Sequence, residues 1–220
     1  MRLIFATNNK HKISEIIEIL GDKYKDFVFL MSDLGVNVNP EENGNTFLEN
    51  ANIKSFALYE ILRNKNLLND EDYIIADDTG LCIDYLNGEP GIYSARYLGE
   101  NTKQETKNEK ILELMKDAEG IERKAHFITI LSVVEIVDIK KGEFKVNNFE
   151  GRVEGYIAKR IEKTDGFGYD PIFAVGNPSD IESGCVKTYS NMGISEKNKI
   201  SHRARAFHNF VLYLEKRHNI

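Results

Sequence analysis

Residues 3–31 read LIFATNNKHKISEIIEILGDKYKDFVFLM and decide the fold class. Leu3 to Ala6 is an apolar run of strand length, and a polar loop follows it from Thr7 to Lys12. An amphipathic helical stripe comes next, Gly21 ends the predicted helix, and Phe27 to Met31 returns as a strand. The stripe consists of Ile13, Ile16, Ile17 and Leu20. The stretch therefore predicts a βαβ unit.

Further along the chain, strands and helices continue to alternate. Thr46 with Glu49 predicts a capping box that opens a helix of about four turns. Tyr73 to Ala76 is a predicted strand that ends at residues 77–80 (DDTG), and Leu81 to Ile83 continues extended. Thr102 with Glu105 predicts a second capping box.

The second half of the chain is richer in predicted strands. A β-rich insert is expected over about 121–163, with long strands over 125–137, 143–152 and 153–161 and a bend near Gly151. A last helix is predicted from near Ser201 to His218. We expect a single α/β domain over 1–220 with a partly antiparallel sheet.

Composition and charge restrict the class of protein. The 220 residues include 35 acidic and 29 basic ones, which argues against a surface built to bind nucleic acid or an anionic membrane. The longest apolar stretch, Phe127 to Val137, is interrupted by polar residues and is shorter than a membrane span of roughly 20 residues. Two cysteines cannot form a disulfide framework. We expect a cytoplasmic protein without nucleic-acid or membrane partners.

The loop from Thr7 to Lys12 is a candidate anion site. It joins the end of a predicted strand to the start of a helix, where backbone N–H groups and the positive end of the helix dipole attract anions. Its spacing is not that of a Walker loop. The alternative interpretation is a solvated surface turn with capping residues, and spacing alone leaves both open.

Two adjacent carboxylates, Asp77 and Asp78, follow the strand that starts at Tyr73. One or two carboxylates with waters and substrate phosphates suit Mg²⁺, and a second carboxylate can act as a base. Glu41 and Glu42 in the preceding loop could add a ligand. The alternative is a turn in which the aspartates cap local N–H groups.

A glycine-aromatic segment and a donor pair complete the candidate site. Residues 166–170 (GFGYD) place two rings among glycines, which can expose a flat surface to a base, although a ring packed beneath a turn is equally possible. His202 and Arg203 offer donors near the start of the last helix, and Lys187 lies nearby in sequence. Taken alone, such a pair is more often surface than site. Together these parts indicate a site that hydrolyses nucleotides.

Five motifs carry a family resemblance. They are Thr7-x-Asn9-x-x-Lys12, residues 76–81 (ADDTGL), residues 90–97 (PGIYSARY), residues 166–171 (GFGYDP) and Ser201-His202-Arg203. In this order they resemble the signatures of the inosine triphosphatase family, the pyrophosphatases of non-standard purine nucleoside triphosphates that are also called Ham1 or RdgB-like proteins. The resemblance extends from residue 3 to about residue 207.

The resemblance implies a homodimeric, Mg²⁺-dependent hydrolase with an elongated mixed β-sheet flanked by helices, in two lobes around a nucleotide-binding cleft. It implies that ITP, dITP and XTP are converted to the monophosphate and pyrophosphate, while ATP and GTP are spared and the nucleotide pool is cleansed.

The resemblance also implies a role for each matching residue. The triphosphate would be held by Thr7, Asn8, Asn9, Lys10, His11, Lys12 and Lys54. The metal would be served by Glu41 and Asp78, with Asp77 in support and Asp78 also the proton acceptor, and Thr79 keeps the hydroxyl of a serine usual in bacterial members. The base would meet Phe167, Gly168, Tyr169, Asp170, Lys187, His202 and Arg203.

One position departs from the family pattern. The family commonly has an acidic residue after Lys187-Thr188, in Ala-Glu-Leu or Ala-Glu-Met, where this chain has Ser190-Asn191-Met192. We expect an altered contact there without loss of activity.

Three other interpretations compete with the family assignment. A phosphatase of the haloacid dehalogenase type needs D-x-D after the first strand, which the adjacent pair Asp77-Asp78 does not provide. A nucleotide-binding sensor has no use for a catalytic base. A Maf-like nucleotide pyrophosphatase is the third.

Overall fold

The computed structural model describes residues 1–162, 166–182 and 187–219, and these ranges contain six strands and six α-helices besides short 3-10 helices. The strands are β1 (Arg2–Phe5), β2 (Val28–Leu30), β3 (Asp72–Ile83), β4 (Lys124–Asp138), β5 (Glu143–Ile157) and β6 (Phe173–Ala174). The helices are α1 (Lys10–Tyr24), α2 (Phe47–Asn64), α3 (Gln104–Leu114), α4 (Pro178–Glu182), α5 (Ile194–Ile200) and α6 (His202–His218). None of the helices in these ranges has both the length and the apolar character needed to cross a membrane.

The six strands form one mixed sheet in the order β2-β1-β3-β4-β5-β6. Strand β1 is parallel to both β2 and β3, whereas β5 and β6 pair in the antiparallel sense. The βαβ unit of the opening segment is thus present as β1, α1 and β2. The predicted mixed sheet with flanking helices is confirmed.

The chain divides into two compact units, and β3, β4 and β5 each contribute residues to both. Unit 1 comprises residues 1–78, 129–151 and 203–220, and unit 2 comprises residues 79–128 and 152–202. The prediction of one domain over 1–220, with a β-rich insert at about 121–163, stays a prediction, as does the nucleotide-binding cleft.

Within unit 1, the alternation of side chains along β3 assigns its residues to two cores. Tyr73 and Ile75 pack in a core with residues of α1 and α6. Ile74 packs in a second core with Leu58 and Leu62 of α2. Residue 77 therefore lies on the same side of β3 as Tyr73 and Ile75, and residue 78 lies on the same side as Ile74.

The core of unit 2 covers one side of the continuing strands. Leu81 and Ile83 of β3 pack with Ile111 of α3 and with apolar residues of β4 and β5. The buried guanidinium of Arg123 donates to four backbone carbonyls, those of Met115, Ala118, Ile157 and Ala158. The Arg123 guanidinium has no carboxylate partner in these four hydrogen bonds, and backbone carbonyls satisfy its donors instead.

Two strands are longer than the sequence pattern predicts. The strand that starts at Tyr73 was expected to end at residues 77–80, with an extended segment over 81–83, but β3 runs as one strand through Asp77 and Asp78 to Ile83. Two strands joined by a bend near Gly151 were expected, but β5 is a single strand from Glu143 to Ile157. In the sequence, polar residues or glycine inside a strand resemble a strand end, because the residues that pair with this part of the strand lie far away along the chain.

The helix boundaries confirm one capping prediction and overturn another. The Thr46 side chain accepts a hydrogen bond from the Glu49 N–H at the start of α2, as predicted. Thr102 does not cap α3, because its hydroxyl donates to the Leu98 carbonyl and the helix begins at Gln104. α1 extends to Tyr24, with Gly21 in a left-handed, non-helical conformation (φ 65°) that kinks it.

Candidate functional site

The loop between β1 and α1 folds as a helix cap in unit 1. The Asn9 side chain accepts hydrogen bonds from the N–H groups of His11 and Lys12, and Thr7 Oγ1 accepts one from Asn9 N at 3.2 Å. Asn8 is exposed and donates to Asn37 Oδ1 at 2.8 Å. The capping interpretation is thus correct for Asn9, and phosphate binding by this loop stays a prediction. The side chain of Lys10 lies outside what the structure describes.

Parallel pairing explains how this loop reaches β3. β1 pairs with β3 so that Phe5 lies opposite Ile75. The carboxyl ends of parallel strands share one edge of a sheet, so the residues that follow Phe5 emerge beside residue 77.

The first charged cluster surrounds the buried Asp77. Its Oδ2 accepts a hydrogen bond from Lys12 Nζ at 2.8 Å and lies 3.7 Å from Arg203 Nη2. Arg203 also donates to the Glu15 carboxylate. Burial alone would raise the pKa of Asp77, but Lys12, Arg203 and Lys54 together hold that pKa well below its ordinary value. Asp77 is therefore an anion that stays charged between two cations.

The second charged cluster surrounds Asp78, on the α2 side of β3. Lys54 Nζ lies 3.3 Å from Asp78 Oδ1 and 3.2 Å from Glu42 Oε1. Burial, with a contribution from Glu42, raises the pKa of Asp78 above its ordinary value in spite of Lys54. A carboxylate with a raised pKa is a better proton acceptor than one whose pKa is lowered. Of the two aspartates, Asp78 is the one suited to act as a base.

The two lysines of these clusters respond differently to their surroundings. Burial lowers the pKa of Lys12, and the charge of Asp77 only partly offsets that effect. Burial also opposes the charge of Lys54, but Asp78, Asp77 and Glu42 outweigh it and raise the pKa of Lys54. Lys54 is thus held as a cation among carboxylates.

The residues around Asp78 fit a magnesium ion. Asp78 Oδ2 is buried and has no hydrogen-bond partner among the described residues. Glu42 forms an ion pair with Lys54, the lysine that also contacts Asp78. The described ranges hold no cluster of three or more His, Cys, Asp or Glu that could bind a metal, but Mg²⁺ needs only one or two carboxylates besides waters and phosphates. Glu41 is exposed, and its metal role stays a prediction.

In unit 2, the glycine-aromatic segment is fixed from beneath. Tyr169 is buried and donates to the Ser94 carbonyl at 2.8 Å, and the Gly168 carbonyl accepts from Asn108 Nδ2 at 3.2 Å. Gly168 has φ +60°, a left-handed conformation that favours glycine. The neighbouring ring of Phe167 is 37% exposed. An exposed ring on a fixed turn is the arrangement that stacking on a base requires.

A buried ion pair joins this segment to α5. Asp170 Oδ2 accepts from Lys197 Nζ at 2.6 Å, and both residues are buried. The Lys197 ammonium also lies 5.5 Å from the centre of the Tyr189 ring. Lys187, the predicted base contact, is exposed and pairs with Glu196. The structure thus brings Lys197, and not Lys187, against Asp170.

His202 is held by stacked aromatic rings. Its imidazole lies 4.5 Å from the Phe127 ring, centre to centre, at an interplanar angle of 17°. Tyr189 lies 6.4 Å away at 21°. All three residues are buried, so the orientation of His202 is set by the core of unit 2.

Two further predicted positions have local explanations. Thr79 is half-buried in β3, directly after Asp78. Asn191 Oδ1 accepts from both the N–H and the hydroxyl of Thr188, at 3.2 and 2.6 Å. An amide oxygen therefore performs a capping role that a carboxylate oxygen could also perform.

Comparison with known proteins agrees with the motifs. The Ham1 family profile matches residues 3–213. The chain belongs to the Ham1 family. The sequence resemblance to this family is therefore confirmed over nearly the whole chain.

Named relatives of this Ham1-family chain come from several bacteria. It is 40% identical over 217 residues to a dITP/XTP pyrophosphatase of Thermoanaerobacter pseudethanolicus, covering 99% of this chain and 98% of the relative. It is 43% identical to a dITP/XTP pyrophosphatase of Clostridium perfringens, covering 93% of each. The solved structure of the Staphylococcus aureus Ham1 protein is similar with a TM-score of 0.77 and 37% identity, covering 99% of this chain and 100% of that one.

Sequence reasoning overlooked two charged residues of these clusters, Glu15 and Lys197. Glu15 lies three positions after Lys12, a spacing that puts both on one face of α1 and could have been noticed. Glu42 was considered beside Glu41, and nothing local distinguishes the two. Lys197 carries no local signal, because its partner Asp170 is 27 positions away.

Proposed function

We propose that this Ham1-family chain hydrolyses dITP, XTP and ITP at the bond between the α and β phosphates, releasing the monophosphate and pyrophosphate. The observation that carries the proposal is the division of the acidic pair. Asp78 is buried with a raised pKa and a carboxylate oxygen without a described partner, whereas Asp77 is paired with cations. Relatives at about 40% identity named dITP/XTP pyrophosphatase support the same activity.

The proposed role of Asp78 is to accept a proton from the attacking water. Its neighbour Lys54 keeps the carboxylate oriented, and Asp78 Oδ2 is available to a water molecule. General-base assistance of this kind is typically worth about 10² to 10⁴ in rate. Bound Mg²⁺, held by Asp78 with Glu42 or Glu41, would withdraw charge from phosphoryl oxygens and make phosphorus more electrophilic.

Cations of unit 1 would neutralise the triphosphate. Lys12 and Lys54 supply two positive side chains, and the N-terminal end of α1 adds backbone N–H groups. Arg203, which the family resemblance assigns to the base, is proposed here as a third cation for the phosphates because it lies beside Asp77 in unit 1. The proposal thus retains the loop from Thr7 to Lys12 as the phosphate-binding segment. These charges are in place before the reaction, so they bind the phosphates of the substrate and of the leaving pyrophosphate alike.

Residues of unit 2 would recognise the purine. The Phe167 ring would stack on the base, and the neighbouring Gly168, Tyr169 and Asp170 are each hydrogen-bonded within unit 2. Lys197 takes the role predicted for Lys187. Together with His202 it donates to the six-position oxygen of the base, and the burial of Lys197 against Asp170 agrees with this role. Protein donors that pair with an oxo group lose their acceptor when adenine presents an amino group at the same position. The cost is roughly 1 to 3 kcal/mol per buried group.

The same proposal includes the finer properties that the family resemblance implies. The enzyme is a Mg²⁺-dependent cytoplasmic homodimer built from a single domain, and it acts on small-molecule nucleotides. Membership of the Ham1 family supports this part of the proposal.

A substrate panel tests the proposed function. Initial rates are measured with dITP, ITP, XTP, ATP and GTP at equal concentrations, with Mg²⁺ and with EDTA. We expect the first three to be hydrolysed and EDTA to abolish turnover. Preferential hydrolysis of ATP or GTP, or no hydrolysis of any of the five nucleotides, contradicts the proposal.

A further inference from the structure

Asp77 and Asp78 are adjacent in sequence but belong to different surroundings. Successive side chains of a strand point to opposite faces, so neighbours in β3 face different elements of the fold. Asp78 contacts Lys54 of α2, whereas Asp77 contacts Lys12 of α1. The two carboxylates therefore have different partners for a geometric reason.

Asp77 joins two cations that are distant in sequence. Lys12 lies in the first turn of α1 and Arg203 in the first turn of α6, and Asp77 is the carboxylate in contact with both. Arg203 is buried and Glu15 supplies it with a second carboxylate. Asp77 and Glu15 thus alternate with Lys12 and Arg203 in one charged group of unit 1.

The energetics of burial explain why a carboxylate stands at position 77. Two cations placed close together repel each other, and their desolvation is costly unless counter-ions share the site. A hydrogen bond to Lys12 at 2.8 Å also fixes the direction of a long, flexible side chain. Without Asp77, Lys12 loses this hydrogen bond and Arg203 keeps only its contact with Glu15 among the ion pairs described above.

We propose that Asp77 is a positioning residue that holds Lys12 and Arg203 for substrate binding, and that it does not serve the metal. This inference rests on the proposed function, in which both cations bind the nucleotide. Because these contacts exist before the reaction begins, losing them weakens substrate binding more than it slows the chemical step.

The first test is the Asp77→Asn variant, which keeps the shape and removes the charge. With saturating Mg²⁺, we expect KM for dITP to rise by about tenfold or more while kcat changes less than about threefold. The Mg²⁺ concentration that gives half-maximal rate should stay within about twofold of wild type. An unchanged KM with a half-saturating Mg²⁺ concentration raised about tenfold would overturn the proposal in favour of a metal role.

A double-mutant cycle with Lys12→Met separates positioning from an independent effect. Because Asp77 acts through Lys12, the KM increase caused by Asp77→Asn should be at least about threefold smaller in the Lys12→Met background. KM effects of the two substitutions that simply multiply would overturn the proposal.

Melting temperatures of the same four proteins provide a readout without substrate. The double variant removes a cation and its anion together, so it should lose less stability than the two single variants combined. Additive losses of melting temperature would contradict the coupling between Asp77 and Lys12, even if the Asp77→Asn variant folds poorly. If wild-type protein releases no pyrophosphate from dITP, the proposed function fails while this cycle still judges the contact between Asp77 and Lys12.

Discussion

Replacing Lys197 with methionine tests the assignment of the base-recognising lysine. The Lys197 ammonium donates to Asp170 at 2.6 Å, and both residues are buried. Removing one partner of a buried ion pair leaves an uncompensated charge, which typically costs about 3 to 5 kcal/mol. We expect Lys197→Met to lower the free energy of unfolding by that amount.

Lys187→Met is the matched control for this substitution. Lys187 pairs with Glu196 at 2.5 Å, but the two side chains are 50% and 51% exposed. Exposed ion pairs typically contribute about 0 to 1 kcal/mol, so this variant should unfold almost as wild type does. The two variants differ in burial while the chemical change is identical.

Urea unfolding followed by far-UV circular dichroism gives the stability difference, and kinetics with dITP and dATP give the selectivity. Losing one buried donor, worth roughly 1 to 3 kcal/mol, should reduce the ratio of kcat/KM for dITP over dATP by about 5- to 150-fold in Lys197→Met. The ratio should be unchanged in Lys187→Met. Equal costs in the two variants, or a selectivity loss confined to Lys187→Met, would refute the reasoning.

Three further substitutions test other parts of the account. Asp78→Asn in a folded protein should lower kcat for dITP by about 100-fold or more because a general base is lost, and a kcat within about tenfold of wild type would count against the role of Asp78. Phe167→Ala should raise KM for dITP and dATP by a similar factor, since stacking is worth about 1 to 3 kcal/mol whatever the base edge, and a changed ratio at constant KM would mean that the ring reads the edge. Asp77, whose pKa is lowered, contributes stability that is present above about pH 4 and is lost as the pH falls through the lowered value. The stability gap between wild type and Asp77→Asn, measured by urea unfolding, should therefore narrow by about 1 kcal/mol from pH 7 to pH 3, and a constant gap would contradict this sign.

The local sequence pattern was sufficient to predict the helices and strands that bury one of their sides. The stripe that includes Ile16 and Leu20 predicted α1, and Thr46 predicted the start of α2. These signals depend on residues within a few positions of each other. The βαβ opening and the mixed sheet followed from them.

Errors arose where partners come from distant parts of the chain. The acidic pair in β3 looked like a strand end, because charged residues inside a buried strand are rare unless paired. Asp77 is paired with Lys12, 65 positions away, and Asp78 with Lys54, 24 positions away. No local pattern reveals such contacts, and for the same reason the contact between Lys197 and Asp170 could not be predicted from the sequence.

The products of dITP hydrolysis test the central claim most directly. Purified enzyme is incubated with dITP and Mg²⁺ in the absence of contaminating pyrophosphatase, and the products are quantified by ion-exchange chromatography. Attack of water at the α phosphorus, with Asp78 as the proton acceptor, predicts dIMP and pyrophosphate in equal amounts. dIDP with orthophosphate as the main products would contradict the account.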